Sequence, residues 1–433
     1  MPFRPWNLRK PERPNSALSQ EVQRLSADPR VHRIFDWFSR NEREIAEFQL
    51  AVTAVAAPPF GEQARADWMR NRLSALTLAT SIDAAGNLLA ARAGTHPEVA
   101  AIALSAHLDT VFAAGTELNV RREHAHLCGP GISDNGSGLA ALWSLAAAFD
   151  ACAIATAAPL LFVANAGEEG DGNLRGMRHL YRAHLPAAQP DPAPPPEIAL
   201  LIAIDGAGVE SIITQALGSR RFQVSISGPG GHSWSDFGLP NPIVAAAIAI
   251  RALSRIALPV APRTTLNVGS IHGGTSVNAI PERVSFQVDL RSADPRRLDE
   301  LEQQLRRAVT DACSEVNGAA SDAQHSLTHE IAPTGERPAG ELLEGSQLLS
   351  AIHAVDAHLG IRSETLRAST DANIPLSLGL EAVTLGAGGN GGGAHTLHEW
   401  YDPAGRYEAL RRLTLLVLLL AGIAPAEADS EPA

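Results

Sequence analysis

Short apolar runs that end in polar or acidic residues recur along this chain. Val99-Ala100-Ala101-Ile102-Ala103-Leu104 leads into Ser105-Ala106-His107-Leu108-Asp109-Thr110. The run 160–164 leads into Glu168-Glu169, and Leu200-Leu201-Ile202-Ala203-Ile204 leads into Asp205. Runs of this length between turn signals predict buried strands. Their polar groups then fall at strand C-termini, where open α/β sheets place their sites. Helical spacing separates them: residues 16–56, with Val31, Ile34, Phe35, Trp37 and Phe38, then 62–76, then the alanine- and leucine-rich 139–149. Two short strands are expected around the turn Asp83-Ala84-Ala85-Gly86-Asn87, a sequence rich in turn formers. The alternation predicts an α/β fold with a mixed, mostly parallel sheet flanked by helices.

From Ser219 the rhythm changes. The pattern gives a strand at 221–227, a helix at 242–256, strands at 265–271 and 284–290, a helix at 295–316 and a strand at 326–331. That β-α-β-β-α-β order is the split ferredoxin-like unit, so residues 217–332 are expected to form an inserted α+β domain. Residues 1–216 and 333–433 would be the two parts of the domain it interrupts. After the insert the pattern gives a helix at 346–359, a strand at 382–385 and a glycine-rich turn before His395. The Pro/Ala-rich run 186–196 reads as a loop.

Composition narrows the function. A chain of 433 residues with 45% hydrophobic and 19% charged content is long enough for two soluble domains. Its net charge of −12 argues against nucleic acid or an anionic membrane as partner, because both require a basic surface. Lys10 is the only lysine, which excludes a Schiff-base or phosphate-loop lysine beyond the N-terminal tail. Cys128, Cys152 and Cys313 form no Cys-x-x-Cys pair and suit a reducing cytoplasm. The first residues, Met1-Pro2-Phe3-Arg4-Pro5-Trp6, lack the apolar core of a signal peptide. The apolar 413–423 is too short to span a bilayer.

His107 and Asp109 lie two apart, so on an extended chain both face one way. A carboxylate there can orient the imidazole while the other ring nitrogen meets a metal. Adding Asp134, Glu168, Glu169, Asp205 and a late histidine, His395 or His398, gives imidazole and carboxylate donors without thiolate, a set suited to zinc, manganese or cobalt. Seven such groups suffice for two divalent ions sharing a carboxylate, with two carboxylates left for orientation and base work. Singly, Asp134 could cap a helix, Asp205-Gly206 could make a turn and Glu168-Glu169 could be a solvated pair. Jointly, clustered acids at three strand ends require a cation. The segment Gly386-Ala387-Gly388-Gly389-Asn390-Gly391 fits the dinucleotide glycine spacing, but no helix opens after it. No Gly-x-Ser-x-Gly elbow or His-Glu-x-x-His is present.

These residues resemble the co-catalytic zinc exopeptidases and amidohydrolases, a family that includes peptidase T, carnosinase, glutamate carboxypeptidase, aminoacylase and succinyl-diaminopimelate desuccinylase. The matching pieces are Ser105-Ala106-His107-Leu108-Asp109-Thr110-Val111, Gly131-Ile132-Ser133-Asp134-Asn135-Gly136, Ala166-Gly167-Glu168-Glu169-Gly170, Asp205-Gly206, Gly230-Gly231-His232-Ser233, Asn278-Ala279-Ile280-Pro281 with Val288-Asp289-Leu290-Arg291, and Gly393-Ala394-His395. They occur in family order. Ser369-Thr370-Asp371-Ala372-Asn373-Ile374-Pro375 and His395-Thr396-Leu397-His398-Glu399-Trp400 look closest to the peptidase T-like branch.

The resemblance implies that His107, Asp134 and Asp205 hold one ion and Asp134, Glu169 and His395 the other, with zinc first and manganese or cobalt as alternatives. His395, four before Glu399, matches the family spacing better than His398. Asp109 would orient His107, and Glu168 would be the general base for a hydroxide bridging the ions. The insert would be a lid and dimerisation domain whose His232 stabilises an oxyanion, often across a dimer, while Asn278 and Arg291 grip a substrate carboxylate. The implied function is cleavage of small peptides by a di- or tripeptidase-like exopeptidase. An N-acyl amino acid deacylase with the same mechanism is the alternative, followed by an inactive metal- or small-molecule-binding protein.

Overall fold

Burial on both faces is what makes the central strands read as unbroken apolar runs. In the computed structural model, which describes residues 16–184, 197–321 and 324–425, Ala101–His107 is buried at all seven positions. It lies between Leu160–Asn165 and Ile198–Ile204, parallel to both. Glu381–Leu385 adds a fourth parallel strand beside Ile198–Ile204. Antiparallel strands finish the sheet at its flanks, Leu88–Arg92 beside Leu160–Asn165 and Ser211–Ala216 beside Glu381–Leu385. The parallel strands therefore deliver His107, Glu168 and Asp205 to one edge. The loop expected at 186–196 and the tail with Lys10 lie outside the described residues.

Helices cover both faces. Pro29–Ala54, Gly136–Ala151 and Arg406–Ala421 bury Phe38, Leu142 and Leu416 with Leu104 and Phe162 of the sheet. On the other face Met177, Leu180 and Ile374 pack on Ala103, Val163 and Leu201. Each fully buried side chain of this size stabilises the fold by about 1.5 to 3 kcal/mol. The apolar 413–423 lies within the helix Arg406–Ala421 and its continuation, and among the described residues no helix is long and apolar enough to cross a membrane.

The insert has the expected order. Its four strands run antiparallel as Thr264–Gly273, Arg283–Ser292, Gly218–Ser227 and Thr328–Arg337. Pro242–Leu253 and Pro295–Ala319 pack on one face and close a separate core around Phe222, Phe286, Leu301 and Leu305. The last strand runs to Arg337 rather than stopping at 331. The extension Ala332-Pro333-Thr334-Gly335-Glu336-Arg337 looks like a loop, yet an edge strand tolerates proline and glycine, and a register shift between Pro333 and Gly335 absorbs them. Strands Ser211–Ala216 and Glu364–Ala368 and a small sheet joining His126–Cys128 to Trp400–Asp402 were not legible, because their short pairings span long separations.

Arg65 fastens the site's edge to the helices. Fully buried, it donates to Leu108 O at 2.6 Å, Val55 O at 2.8 Å and Thr53 O at 3.2 Å. Burial pulls its guanidinium down to about 10, opposed by the charges of Asp109 and Glu62. Replacing Arg65 with Met leaves three buried carbonyls unpaired at about 1 kcal/mol or more each. Denaturant unfolding of Arg65→Met should show a loss of about 3 kcal/mol, and unchanged stability would refute this account of the edge.

Candidate metal centre

His107 ends its strand with Nδ1 3.0 Å from the carbonyl oxygen of Asp109, to which it donates in the matching tautomer. Its Nε2 then faces Asp134 Oδ1 at 3.0 Å and Asp205 Oδ1 at 3.6 Å. On the other side of Asp134, Oδ2 lies 3.0 Å from His395 Nε2, which is 2.9 Å from Glu169 Oε1. Donor atoms of His107, Asp134 and Glu169 all lie within 4.8 Å of one another. Asp134 thus turns one oxygen to each of two imidazole-carboxylate groups. Such nitrogen and oxygen donors fit divalent zinc, manganese or cobalt, and a carboxylate in this position can bridge two ions.

Local sequence explains the placement. Asn135, not Asp134, caps the helix Gly136–Ala151 by accepting from Gly138 N, which leaves the Asp134 carboxylate free. A Cβ at Gly138 would stand 2.4 Å from Ile204 O, so glycine lets this helix start approach the strand that delivers Asp205. Asp109 accepts from Glu168 N at 2.9 Å and Glu169 N at 2.7 Å. Its carboxylate therefore holds the glutamate loop, while its Oδ1 stays 3.8 Å from His107 Nδ1. The expected carboxylate contact to His107 is a contact through the Asp109 carbonyl instead. His395 has φ 64°, a left-handed conformation uncommon outside glycine.

Glu399, buried beneath, accepts from Gly131 N, Ser133 N and Asp134 N, each at 2.8 Å, and so fixes the loop carrying Asp134. Burial raises Glu399 to about 7 against the pull of those backbone groups. Burial also raises Asp134, but hydrogen bonds from His107 and His395 outweigh it and hold the carboxyl well below the usual range. The hydrogen bond to Asp134 raises His395 to about 9. Burial pushes Glu168 up, opposed by Arg337 and His107. Arg337 donates to Glu168 Oε1 at 2.9 Å and to Glu168 O.

Asp134, Glu168, Glu169, Asp205 and His395 line a cavity of about 470 Å³, within the range of small-molecule sites. Its opposite wall belongs to the insert and includes Arg221, Arg291 and Arg337. His232 and Asn278 are outside this lining. His232 is exposed, and its Nδ1 accepts from Trp234 N at 3.2 Å and Ser235 N at 3.4 Å. His398 is also outside the lining and exposed.

Comparison with known proteins extends the geometry. A family profile described as "Peptidase family M28" matches residues 87–223, and one described as "Peptidase dimerisation domain" matches 215–317. Both profiles are of peptidase families, and the chain is similar to the metallopeptidases over residues 87–317. The peptidase profiles and the peptidase and deacetylase relatives support metal-dependent amide hydrolysis, with the dimerisation module matching the insert. It is 26% identical over 311 residues to an uncharacterized protein of Bacillus subtilis, YqjE, covering 70% of this chain and 77% of that one. It is 29% identical over 320 residues to an acetylornithine deacetylase of Myxococcus xanthus, covering 70% and 76%. Among solved structures, a tripeptidase of Staphylococcus aureus superposes with a TM-score of 0.70 at 20% identity, over 88% of this chain and 98% of that one. Aminopeptidase PepT of Bacillus cereus gives 0.69 at 18% identity, over 88% and 99%. A dinuclear metal-binding M20 peptidase of Bacillus subtilis gives 0.63 at 15%, over 89% and 100%. At these identities the structural likeness is one of fold.

Glu399, Arg221 and Arg337 had not been singled out as functional from this hydrolase's sequence. Glu399 carried a signal, since it follows His395 by four residues. Arg337 had none, because its segment reads as a loop.

Two outcomes test the centre. Metal analysis should find two ions per chain; His107→Ala should lose one and Asp134→Ala both, whereas equal losses would remove the bridging role. Glu399→Gln, which offers one acceptor oxygen in place of two, should weaken metal affinity about 10- to 100-fold by equilibrium competition with a chelator. Unchanged affinity would show that Glu399 only packs.

Proposed function

We propose that this chain is a di- or tripeptidase-like exopeptidase that hydrolyses amide bonds of small peptides. It would use two divalent ions, zinc first, with Glu168 as general base. The observation that carries the reading is the Asp134 carboxylate between His107 and His395, with Asp205 and Glu169 completing the two donor groups. Residues 1–216 and 333–433 are read as the catalytic domain and 217–332 as its lid.

His107, Asp134 and Asp205 on one side and Asp134, Glu169 and His395 on the other would hold two divalent ions, which when bound would acidify water and polarise a carbonyl. Glu168 takes the proton from the attacking water and returns it to the leaving amine. Arg337 supports this role by holding the carboxylate beside the cavity and partly offsetting the burial that favours its protonated form. Asp109 keeps Glu168 and Glu169 in register through their backbone N–H groups. Arg291 would grip a substrate carboxylate, since its Nη groups have no protein partner among the described residues and its Nε is tied to Asp289 at 2.7 Å.

His232 and Asn278 stand away from this chain's own cavity, which suits a homodimer in which the partner's insert supplies them. Two backbone donors at Nδ1 favour a proton on Nε2, the tautomer needed to stabilise an oxyanion. The three cysteines are free, as fits a cytoplasmic location. A second reading, an N-acyl amino acid deacylase, has the likeness to acetylornithine deacetylase in its favour.

Assaying metal-loaded protein on matched dipeptides, tripeptides and N-acyl amino acids separates the readings. Peptides with a free amine should turn over faster than acylated amino acids. Glu168→Gln should lower kcat by about 10²- to 10⁴-fold while both ions stay bound. No turnover on any amide would defeat the proposal.

A further inference from the structure

The inserted sheet has one face that the cavity uses. Along Gly218–Ser227 and Arg283–Ser292, Phe222, Val224, Phe286 and Val288 point to the two helices, so the alternate positions point the other way. There the register sets Arg221 opposite Asp289 and Arg291 opposite Ser219, with Arg337 opposite Ser219 on its other flank. Three guanidiniums and one carboxylate thus share one face at the cavity wall.

The charges on that wall do not cancel. Arg337 is matched by Glu168. Arg221 and Arg291 both donate through Nε to the single carboxylate of Asp289, at 3.3 and 2.7 Å. Arg221 Nη1 reaches Gly170 O at 3.3 Å, beside the glutamate loop. Its Nη2 and both Nη groups of Arg291 have no protein partner among the described residues. Across the cavity, two divalent ions would bring four positive charges to three carboxylates, Asp134, Glu169 and Asp205. Once the attacking water has lost its proton the ion side is neutral, so the charge left uncompensated in a loaded cavity is the one on the wall, shared by Arg221 and Arg291, in a protein whose net charge is −12.

We propose that Arg221 reads a second carboxylate, so that the preferred substrate carries an acidic amino acid, aspartate- or glutamate-like, on the amine side of the cleaved bond. Resting on the amide-hydrolase reading, this assigns Arg291 to the α-carboxylate and Arg221 to the side-chain carboxylate one or two methylenes away. Asp289, held between the two guanidiniums, fixes their spacing. Arginine suits this task because its planar fork presents paired donors to a carboxylate.

The test is product binding, which needs no turnover. Calorimetry on the metal-loaded protein should find L-glutamate or L-aspartate bound at least about tenfold more tightly than L-glutamine or L-asparagine, because donors placed for a carboxylate discriminate against its neutral isostere. In Arg221→Gln the preference should fall to within about twofold while affinity for the neutral amino acid is kept, and Arg221→Lys should retain part of it. Metal content and circular dichroism check that the variants fold. Equal binding of acid and amide by the unaltered protein overturns the assignment, as does a preference that survives Arg221→Gln. In parallel, glycyl-glutamate and glycyl-glutamine are offered as substrates. Acid-selective binding without turnover of any amide would refute the hydrolase reading and leave the carboxylate site standing, whereas turnover without acid preference would do the reverse.

Discussion

Asp134 lies between two imidazoles, and the rest of the centre follows from what that arrangement demands. Asp109, Glu168, Glu169, Asp205 and Asp371 surround the same edge of the sheet, and burial raises Asp371 to about 7. Carboxylates gathered in a low-dielectric interior repel one another and lose their hydration. The fold answers with fixed positive ends. Backbone N–H groups meet Asp109 and Glu399, and guanidiniums are supplied by Arg65 and Arg337. What these leave uncompensated is the ring of oxygens around Asp134, which is where divalent ions contribute most.

The supporting groups are divided so that no side chain serves two ends. Asn135 takes the helix cap and leaves Asp134 free to turn outward. Asp109 takes the N–H groups of Glu168 and Glu169, so those neighbouring carboxylates project separately. One meets His395 and the other meets Arg337. Two adjacent acids can thereby have different tasks without competing for one ion.

Legibility in the sequence follows the range of the interactions. His107, Asp205 and the Glu168-Glu169 pair could be found because each follows an apolar strand, and burial of a strand is written in its own residues. The β-α-β-β-α-β order of the insert could be found for the same reason. Glu399 and Arg65 act on backbone groups far away in the chain, at Gly131 to Asp134 and at Leu108; the spacing of Glu399 from His395 could draw the eye to it, but a local pattern does not show its partner 268 residues distant. Arg337 was hidden differently, since Pro333 and Gly335 disguise an edge strand as a loop. Role assignments suffered where side chain and backbone of one residue compete. Asp109 was expected to meet His107 through its carboxylate and does so through its carbonyl.

The inserted sheet shows why the wall of the cavity is so basic. Its even-numbered positions from Phe222 to Ile226 and from Val284 to Leu290 are apolar and close a core against two helices, so the groups that face the cavity come from the odd ones. Arg221, Asp289 and Arg291 occupy those positions, and Arg337 joins them from the edge strand. Arg220, one residue off that parity, turns to the helix face and pairs with Asp299 and Glu302 instead. Two adjacent arginines thus have opposite destinies set by the pleat alone: one ties the insert to its own helix, and its neighbour faces the metal-donor cluster. Arg337 also lies where the chain leaves the insert for the catalytic domain, so the guanidinium opposing Glu168 is held by the strand that joins the two.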